Sequence, residues 1–349
     1  MTATNPHSLT ELFHREREGN KSEQTIYKNR DHTNQFLEWC DAQGIDSIRD
    51  LDGTLLLEYK LHLKDDPNKG DATIRNHFST LRTFFKFCRR VDATKEDQHL
   101  YEKLKTPDFS KGELSRDDMM DFGEVKRLLD YLNKFEYGTV KHVAFAIFWH
   151  TGCRCGALIS LDVDDYKPVK QREHGEYGVI QFTNRPDTGT RLKNGEEGNR
   201  EVVVWPHIGE IIEDYIEINR KPQTDDYGRE PLLTSKNGRY SGGAVQRMIY
   251  ALTRPCHYTG NCPVNRDVES CEAIPVDAAS KCPESLSPHP MRRTAITYHL
   301  EKKDWTYEAA SGRFDVSQKV LDEHYDESTD EGRRKTRASI FFDGDQSVI

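Results

Sequence analysis

Apolar and polar positions divide the chain into two parts. From about Thr25 to Arg90, apolar side chains recur at three- and four-residue steps, broken by polar, Gly and Pro residues. This period predicts a small all-helical unit. Periodicity is lost over 105–118, where Pro, Gly and charged residues gather, and we place a domain boundary there. The expected domains are therefore 1–107 and 108–349.

The second part is predicted to be mainly α with a small antiparallel β-sheet, an α+β fold. A strand is expected at Tyr177–Thr183, and the segment 190–206 has the pattern of a hairpin with an Asn194-Gly195 turn and a β-branched run at Val202–Val204. A last short helix, capped by Ser317, carries Tyr325. The other predicted helices are Glu124–Leu132, Val140–His150, Ile208–Asn219, Gly243–Leu252, Pro290–Glu301 and Trp305–Gly312.

The helix predicted over 72–90 has five Arg or Lys residues and no acidic one. At about 100° per residue, four of them form one stripe beside an apolar face. Such a helix can pack on its own core and lie along a phosphate backbone, although a merely solvated charged face is the open alternative. The stripe consists of Arg75, Arg82, Lys86 and Arg89.

The net charge of −9 argues, taken alone, against a polyanionic partner. Whole-chain charge does not exclude a local basic face, and an acidic remainder is also typical of salt adaptation. The N-terminus is polar, and the longest apolar run, Val143–Trp149, is far too short to span a membrane. We therefore expect a cytoplasmic protein with no membrane partner.

The eight cysteines fall into two groups. Those at 40, 88, 153 and 155 lie in apolar helical stretches and are interpreted as core residues. The others lie in an insertion-like segment, 253–286, that is rich in turn formers and too polar to bury much surface. Structural zinc is one interpretation, and free thiols or a disulfide are the others, because the spacing lacks CxxC pairs. The candidate ligands are Cys256, Cys262, Cys271 and Cys282.

Candidate chemistry lies in four short segments, and the chain contains neither a GxxxxGK[ST] phosphate loop nor a GxGxxG motif. TGCRCGALISL places Arg154 after a buried helix, and LKNGEEGNREVVV places Lys193 beside a turn. SPHPMRRTAITYHL places His289 and Arg292 three residues apart at a helix start, hence on one face. VSQKVLDEHYD ends in Tyr325.

In this order the four segments resemble the tyrosine recombinase, or phage integrase, family of site-specific recombinases. The family's active site combines TGxRxxEL, a hairpin lysine, HxxR and a C-terminal tyrosine, and the helical unit at 25–90 is similar to its core-DNA-binding domain. The resemblance implies that Tyr325 attacks a phosphodiester to form a 3′-phosphotyrosine, while Arg154 and Arg292 bind the non-bridging oxygens. It implies that Lys193 protonates the leaving 5′ oxygen and that His289 assists, with no ATP and no catalytic metal.

The chain departs from the family pattern at two positions. The acidic residue expected three residues after the first arginine is Ala157, so Arg154 must be oriented by another group. The family places a second His or Trp nine residues before the tyrosine, where this chain has Val316. Arg313 and Asp315 are nearby, and either could approach the site if the segment carries a one-residue insertion; the sequence does not choose between them.

The resemblance implies a multimer, such as a tetramer on paired sites, that clamps double-stranded DNA. One alternative is a monomeric relaxase similar to type IB topoisomerases, which would relax supercoiled plasmid of arbitrary sequence. Another is a catalytically inactive DNA-binding accessory protein, which the two departures would suit. The apolar cluster at Ile340, Phe341 and Phe342 is expected to dock on a neighbouring protomer or return to its own core.

Overall fold

The computed structural model describes residues 4–19, 23–105, 119–302 and 305–325. Two compact units comprise Met1–Arg116 and Asp117–Ile349. Most of the predicted boundary segment, and the apolar cluster near the C-terminus, lie outside the described residues.

The N-terminal unit is all-helical over its described residues, as predicted. A buried aromatic cluster forms its centre: the ring of Phe36 lies 5.2 Å from that of Tyr59 and 5.6 Å from that of Phe85. Cys40 and Cys88 are buried in the same core, as expected. The helices are α1 (Pro6–Arg17), α2 (Glu23–Ala42), α3 (Gly53–Lys64), α4 (Asp71–Arg90) and the single turn α5 (Leu100–Lys103).

The second unit is α+β, which confirms the predicted fold class. Among the described residues, no helix is both long and apolar enough to cross a membrane. Its helices are α6 (Phe122–Phe135), α7 (Val140–Thr151), α8 (Cys155–Ser160), α9 (Pro206–Asp214), which continues as a π-helical turn (Tyr215–Asn219), α10 (Gly242–Thr253), α11 (Pro255–Thr259), α12 (Pro288–Lys302), α13 (Tyr307–Phe314) and α14 (Gln318–Tyr325).

Helix α7 is the centre of the second unit. Its sequence is apolar on all sides, as expected for a helix surrounded by other elements, and Val143 to Phe148 are all buried. It ends at Gly152, which adopts a left-handed conformation with φ of 53°, the usual C-terminal cap. The turn that follows leads directly to Arg154 and α8.

The β-sheet has three antiparallel strands in the order β1 (Tyr166–Arg172), β2 (Gly175–Phe182) and β3 (Arg200–Val204). Strand β2 matches the predicted strand to within two residues, whereas β1 was not predicted. The sequence of β1, YKPVKQR, contains a proline and mostly polar residues, which suits an edge strand but gives no apolar alternation. A further short pair consists of β4 (Thr234–Ser235) and β5 (Gly238–Arg239).

The hairpin predicted over 190–206 is wrong. Strand β3 pairs with β2, and a loop of residues 183–199 connects them. Asn184 holds the loop in shape, because its side-chain oxygen accepts a 2.9 Å hydrogen bond from the backbone of Leu192, a buried anchor of the loop. Gly195 closes a turn by donating to the carbonyl of Leu192 at 3.1 Å, so Lys193 and Asn194 form its centre.

Candidate active site

Arg154 lies at the N-terminal cap of α8, where the chain leaves the left-handed turn at Gly152. Its guanidinium forms an ion pair with the carboxylate of Asp315, and the two side chains are 27% and 12% exposed. This contact resolves the choice that the sequence left open between Asp315 and Arg313. The side chain of Arg313 instead donates to the carbonyls of Val203 and His150, each at 2.9 Å.

Arg292 lies in the second turn of α12 and is 5% exposed. Its guanidinium donates to the carbonyl of Gly152 at 2.5 Å and to that of Phe314 at 2.7 Å. A longer bond of 3.4 Å reaches the carbonyl of Asp315. Arg292 therefore joins the turn that precedes Arg154 to the segment that precedes α14.

His289 lies in the first turn of α12, three residues before Arg292, as predicted, and is exposed to solvent. Burial of part of the ring lowers its pKa, and the positive charges of Arg292, Lys193 and Arg154 lower it further. Three predicted site residues from three separate chain segments therefore act electrostatically on His289. Lys193 is exposed at the centre of the β2–β3 loop.

Arg200 is a member of this region that sequence reasoning missed. Its side chain is 9% exposed, and it stacks over the ring of Phe182 at 4.2 Å. It donates to the carbonyls of Arg313 and Gly198, both at 2.9 Å. Burial lowers its pKa, with a smaller contribution from the charge of Arg154. No local pattern marks Arg200 as a site residue, because an arginine at the start of a strand is usually exposed.

Tyr325 is the last residue of α14. One turn earlier, Leu321 is fully buried in a small cluster with Ile296, Phe314 and Val316. Ser317 caps the helix through its hydroxyl, which accepts from the backbone of Val320 at 3.3 Å, as predicted. Leu321 therefore anchors α14 to the same Phe314–Val316 segment that binds the arginines. The side chain of Tyr325 lies outside the described residues.

The chain is 30% identical over 298 residues to tyrosine recombinase XerD of Oceanobacillus iheyensis, which covers 84% of this chain and 85% of that protein. It belongs to the tyrosine recombinase family of DNA strand transferases. No protein-family model matches the chain.

Two solved structures share the fold of this tyrosine recombinase. The Tn1549 transposon integrase, solved with a circular intermediate DNA, superimposes with a TM-score of 0.65 at 17% identity and covers 97% of this chain and 100% of that one. The recombinase XerH, bound to its difH substrate before cleavage, has a TM-score of 0.60 at 15% identity and covers 97% and 86% of the two chains.

In the N-terminal unit of this recombinase, the basic stripe lies on the face of α4 opposite the core. Arg75 and Lys86 are exposed and Arg82 is half-buried, and these three line a shallow depression with Ser79 and Thr83. Arg89, also exposed, donates to the imidazole of His99 at 2.8 Å. The first three cations are therefore arranged along one open surface, although the Lys86 ammonium also lies 5.7 Å from the ring centre of Tyr101.

The cysteine-rich insertion is held together by Arg254, which is 7% exposed. Its guanidinium donates to the carbonyls of Ala273 and Ile274, and Thr253 exchanges two hydrogen bonds with the backbone of Leu286. Within the described residues, no group of three or more His, Cys, Asp or Glu side chains is placed to hold a metal ion. Zinc at this insertion stays a prediction. The half-buried thiols are those of Cys256, Cys262, Cys271 and Cys282.

Proposed function

We infer that this chain is a site-specific DNA recombinase or integrase that cleaves and rejoins strands through a 3′-phosphotyrosine at Tyr325. The observation that supports this most is that Arg154, Lys193 and Arg292 all act electrostatically on His289, while both arginines contact the segment leading into α14. These residue types suit phosphoryl transfer, because two guanidiniums can neutralise the charge that builds on the non-bridging oxygens.

In the proposed step, the Tyr325 oxygen forms a bond to phosphorus as the bond to the 5′ oxygen breaks. The phenol releases its proton to water with the assistance of His289, and the leaving 5′ oxygen receives a proton from the Lys193 ammonium, which then regains one from water. Attack of a 5′ hydroxyl on the phosphotyrosine reverses the step and reseals a strand. The number of phosphoester bonds is conserved, so the reaction needs no ATP.

DNA binding is proposed to use the stripe of Arg75, Arg82, Lys86 and Arg89 in the N-terminal unit. We further propose that the protein acts in the cytoplasm as a homo-multimer, a tetramer when two sites are paired. The domain division at about residue 107 and the cysteine-rich insertion at 253–286 are part of the same proposal.

Trapping of the covalent intermediate tests the proposal. The purified protein is incubated with a pool of nicked duplexes made from DNA flanking its own gene, and adducts that survive SDS are collected. The expected adduct has a protein-linked 3′ phosphate and leaves a 5′ hydroxyl that polynucleotide kinase can label. Its fragments should share one sequence. Relaxation of an unrelated supercoiled plasmid with no shared sequence would favour the topoisomerase-like alternative.

Tyr325→Phe removes only the nucleophilic oxygen, so it should keep DNA affinity and lose the adduct entirely. Tyr307→Phe is the matched control, because it removes the same oxygen from a tyrosine in a different helix, at the first residue of α13. An adduct formed by Tyr325→Phe would assign the nucleophile to another tyrosine. Wild-type protein that binds DNA without forming an adduct would instead support the inactive DNA-binding alternative.

A further inference from the structure

Asp315 occupies a central position in the candidate site that none of the recognised motifs accounts for. We propose that its carboxylate orients Arg154. Asp315 would then do what the family's acidic residue does at the position that Ala157 occupies in this chain. The inference rests on the proposed function, because it concerns the alignment of Arg154 for phosphate binding.

The two oxygens of the Asp315 carboxylate contact different side chains. Oδ2 pairs with Nη1 of Arg154 and lies 4.0 Å from Nη1 of Arg200, and Oδ1 accepts a 2.7 Å hydrogen bond from the side-chain amide of Asn194. Asn194 follows Lys193 in the β2–β3 loop. Asp315 therefore fixes the direction of the Arg154 side chain and the position of the β2–β3 loop, which carries Lys193. The Asp315 carboxylate is only 12% exposed, so water screens its attraction to Arg154 poorly. The charged hydrogen bond therefore holds the Arg154 guanidinium firmly in one direction.

The backbone of Asp315 supports the same role. Its φ of 52° and ψ of 58° are left-handed, a conformation that few residues other than Gly, Asn and Asp adopt readily. Arg292 helps to hold this turn by donating to the carbonyls of Phe314 and Asp315. An uncommon conformation fixed by surrounding contacts at a candidate active site indicates that the side-chain direction is specified.

The geometry leaves Arg154 able to bind a phosphate while it is paired. Asp315 uses Nη1, and a guanidinium has five N–H donors in one plane, so donors on its other edge can meet a non-bridging oxygen. Arg154 is also the more exposed member of the pair, 27% against 12%. A carboxylate that merely stood in for the phosphate would have to leave before DNA could bind, and that alternative predicts the opposite effect of removing its charge.

Asp315→Asn is the informative variant, because asparagine has the same shape, tolerates the left-handed backbone and lacks the charge. We expect single-turnover cleavage to slow by about 10- to 100-fold, as a misdirected Arg154 would cause, with DNA affinity unchanged within about 2-fold. Asp92→Asn is the matched control: Asp92 is also left-handed, with φ of 56°, and its side chain is exposed in the N-terminal unit. This control should cleave at the wild-type rate.

A second-site variant separates orientation of Arg154 from a general structural role. Position 157 is the third residue of α8, and a glutamate side chain there can reach back to the cap residue, which is Arg154. Ala157→Glu added to Asp315→Asn should recover part of the lost rate. No recovery, when Ala157→Glu alone cleaves like wild type, would count against the inference.

Four further outcomes would overturn the inference. Wild-type cleavage by Asp315→Asn would refute it and leave the proposed function intact, and faster cleavage would mean that Asp315 competes with the phosphate. Slower cleavage with an equal loss of DNA affinity or of folded protein would make Asp315 a structural residue. If wild-type protein forms no adduct on any substrate, the proposed function fails, and the inference fails with it.

Discussion

Arg292 donates a 2.5 Å hydrogen bond to the main-chain carbonyl of Gly152, a residue 140 positions away in sequence. The bond joins the HxxR helix to the turn that presents Arg154. Gly152 can make this turn because it lacks a side chain: an added Cβ would lie 2.7 Å from the ring of Phe314 and 3.5 Å from Ile296. The relative placement of the two arginines therefore depends on a glycine.

Gly152→Ala should accordingly destabilise the second unit and slow cleavage. Both the positive φ of 53° and the clash with Phe314 oppose a Cβ, at a combined cost of about 2 to 4 kcal/mol of unfolding free energy. Urea unfolding and single-turnover cleavage provide the measurements. The matched control is Gly156→Ala, at an exposed position of α8 with open space where a Cβ would lie, which should stabilise by up to about 1 kcal/mol. Equal stability of the two variants would contradict the argument.

The basic stripe should supply much of the DNA affinity despite the net charge of −9. Arg82→Ala with Lys86→Ala removes two cations that line the depression on α4. Affinity for all sequences should fall to a similar degree, and the slope of log K against log salt should decrease by roughly 0.9 per lost phosphate contact.

Lys126→Ala with Lys134→Ala is the control for this pair, because it removes two exposed charges from α6. Fluorescence anisotropy from 50 to 300 mM salt measures both slopes. An unaltered slope in the Arg82 and Lys86 variant would mean that the stripe is a solvated face.

His289 should titrate below its usual pKa of 6.5 in the absence of DNA, because protonation would add a positive charge to a partly desolvated ring beside Arg292, Lys193 and Arg154. The ring is then neutral at pH 7 and gains its proton only as the solution becomes more acidic than pH 6.5. Lys193→Ala removes one repelling charge and should raise this pKa.

NMR titration of the imidazole protons, assigned with His289→Gln, checks both statements. Lys236→Ala, an exposed lysine in the β4–β5 turn, should leave the pKa where it is in the wild type. A pKa above 6.5 in the DNA-free protein would contradict the positive environment described here.

The cysteine-rich insertion at 253–286 allows a direct test of zinc binding. If the four clustered thiols bind the metal, protein purified without chelator should contain about one zinc per chain, and EDTA should increase hydrogen exchange within 253–286. Chelation should not reduce adduct formation at the first turnover. Absence of zinc would leave Arg254 and its carbonyl partners as the main brace of the insertion, and Arg254→Met would then be the variant that loosens it.

Local sequence patterns alone predicted many of the helices and the family of this protein. The three- and four-residue period predicted the helices between residues 25 and 90, because one face of each helix must be buried, but it did not extend to α1 or α5. The three-residue spacing of His289 and Arg292 placed them together at the start of α12, since residues three apart share a helix face. The order of the short motifs also identified the family, which the 30% identical relative confirms.

The partners of these residues were decided by the tertiary structure. Asp315 meets Arg154 across 161 positions, and no local pattern distinguishes it from Arg313, two residues earlier. The pairing of β3 with β2 was also beyond the sequence, because an Asn-Gly turn looks alike in a hairpin and in a loop fixed by distant contacts. Local patterns specify what a segment forms, whereas the direction of a buried charge depends on which distant groups desolvate and neutralise it.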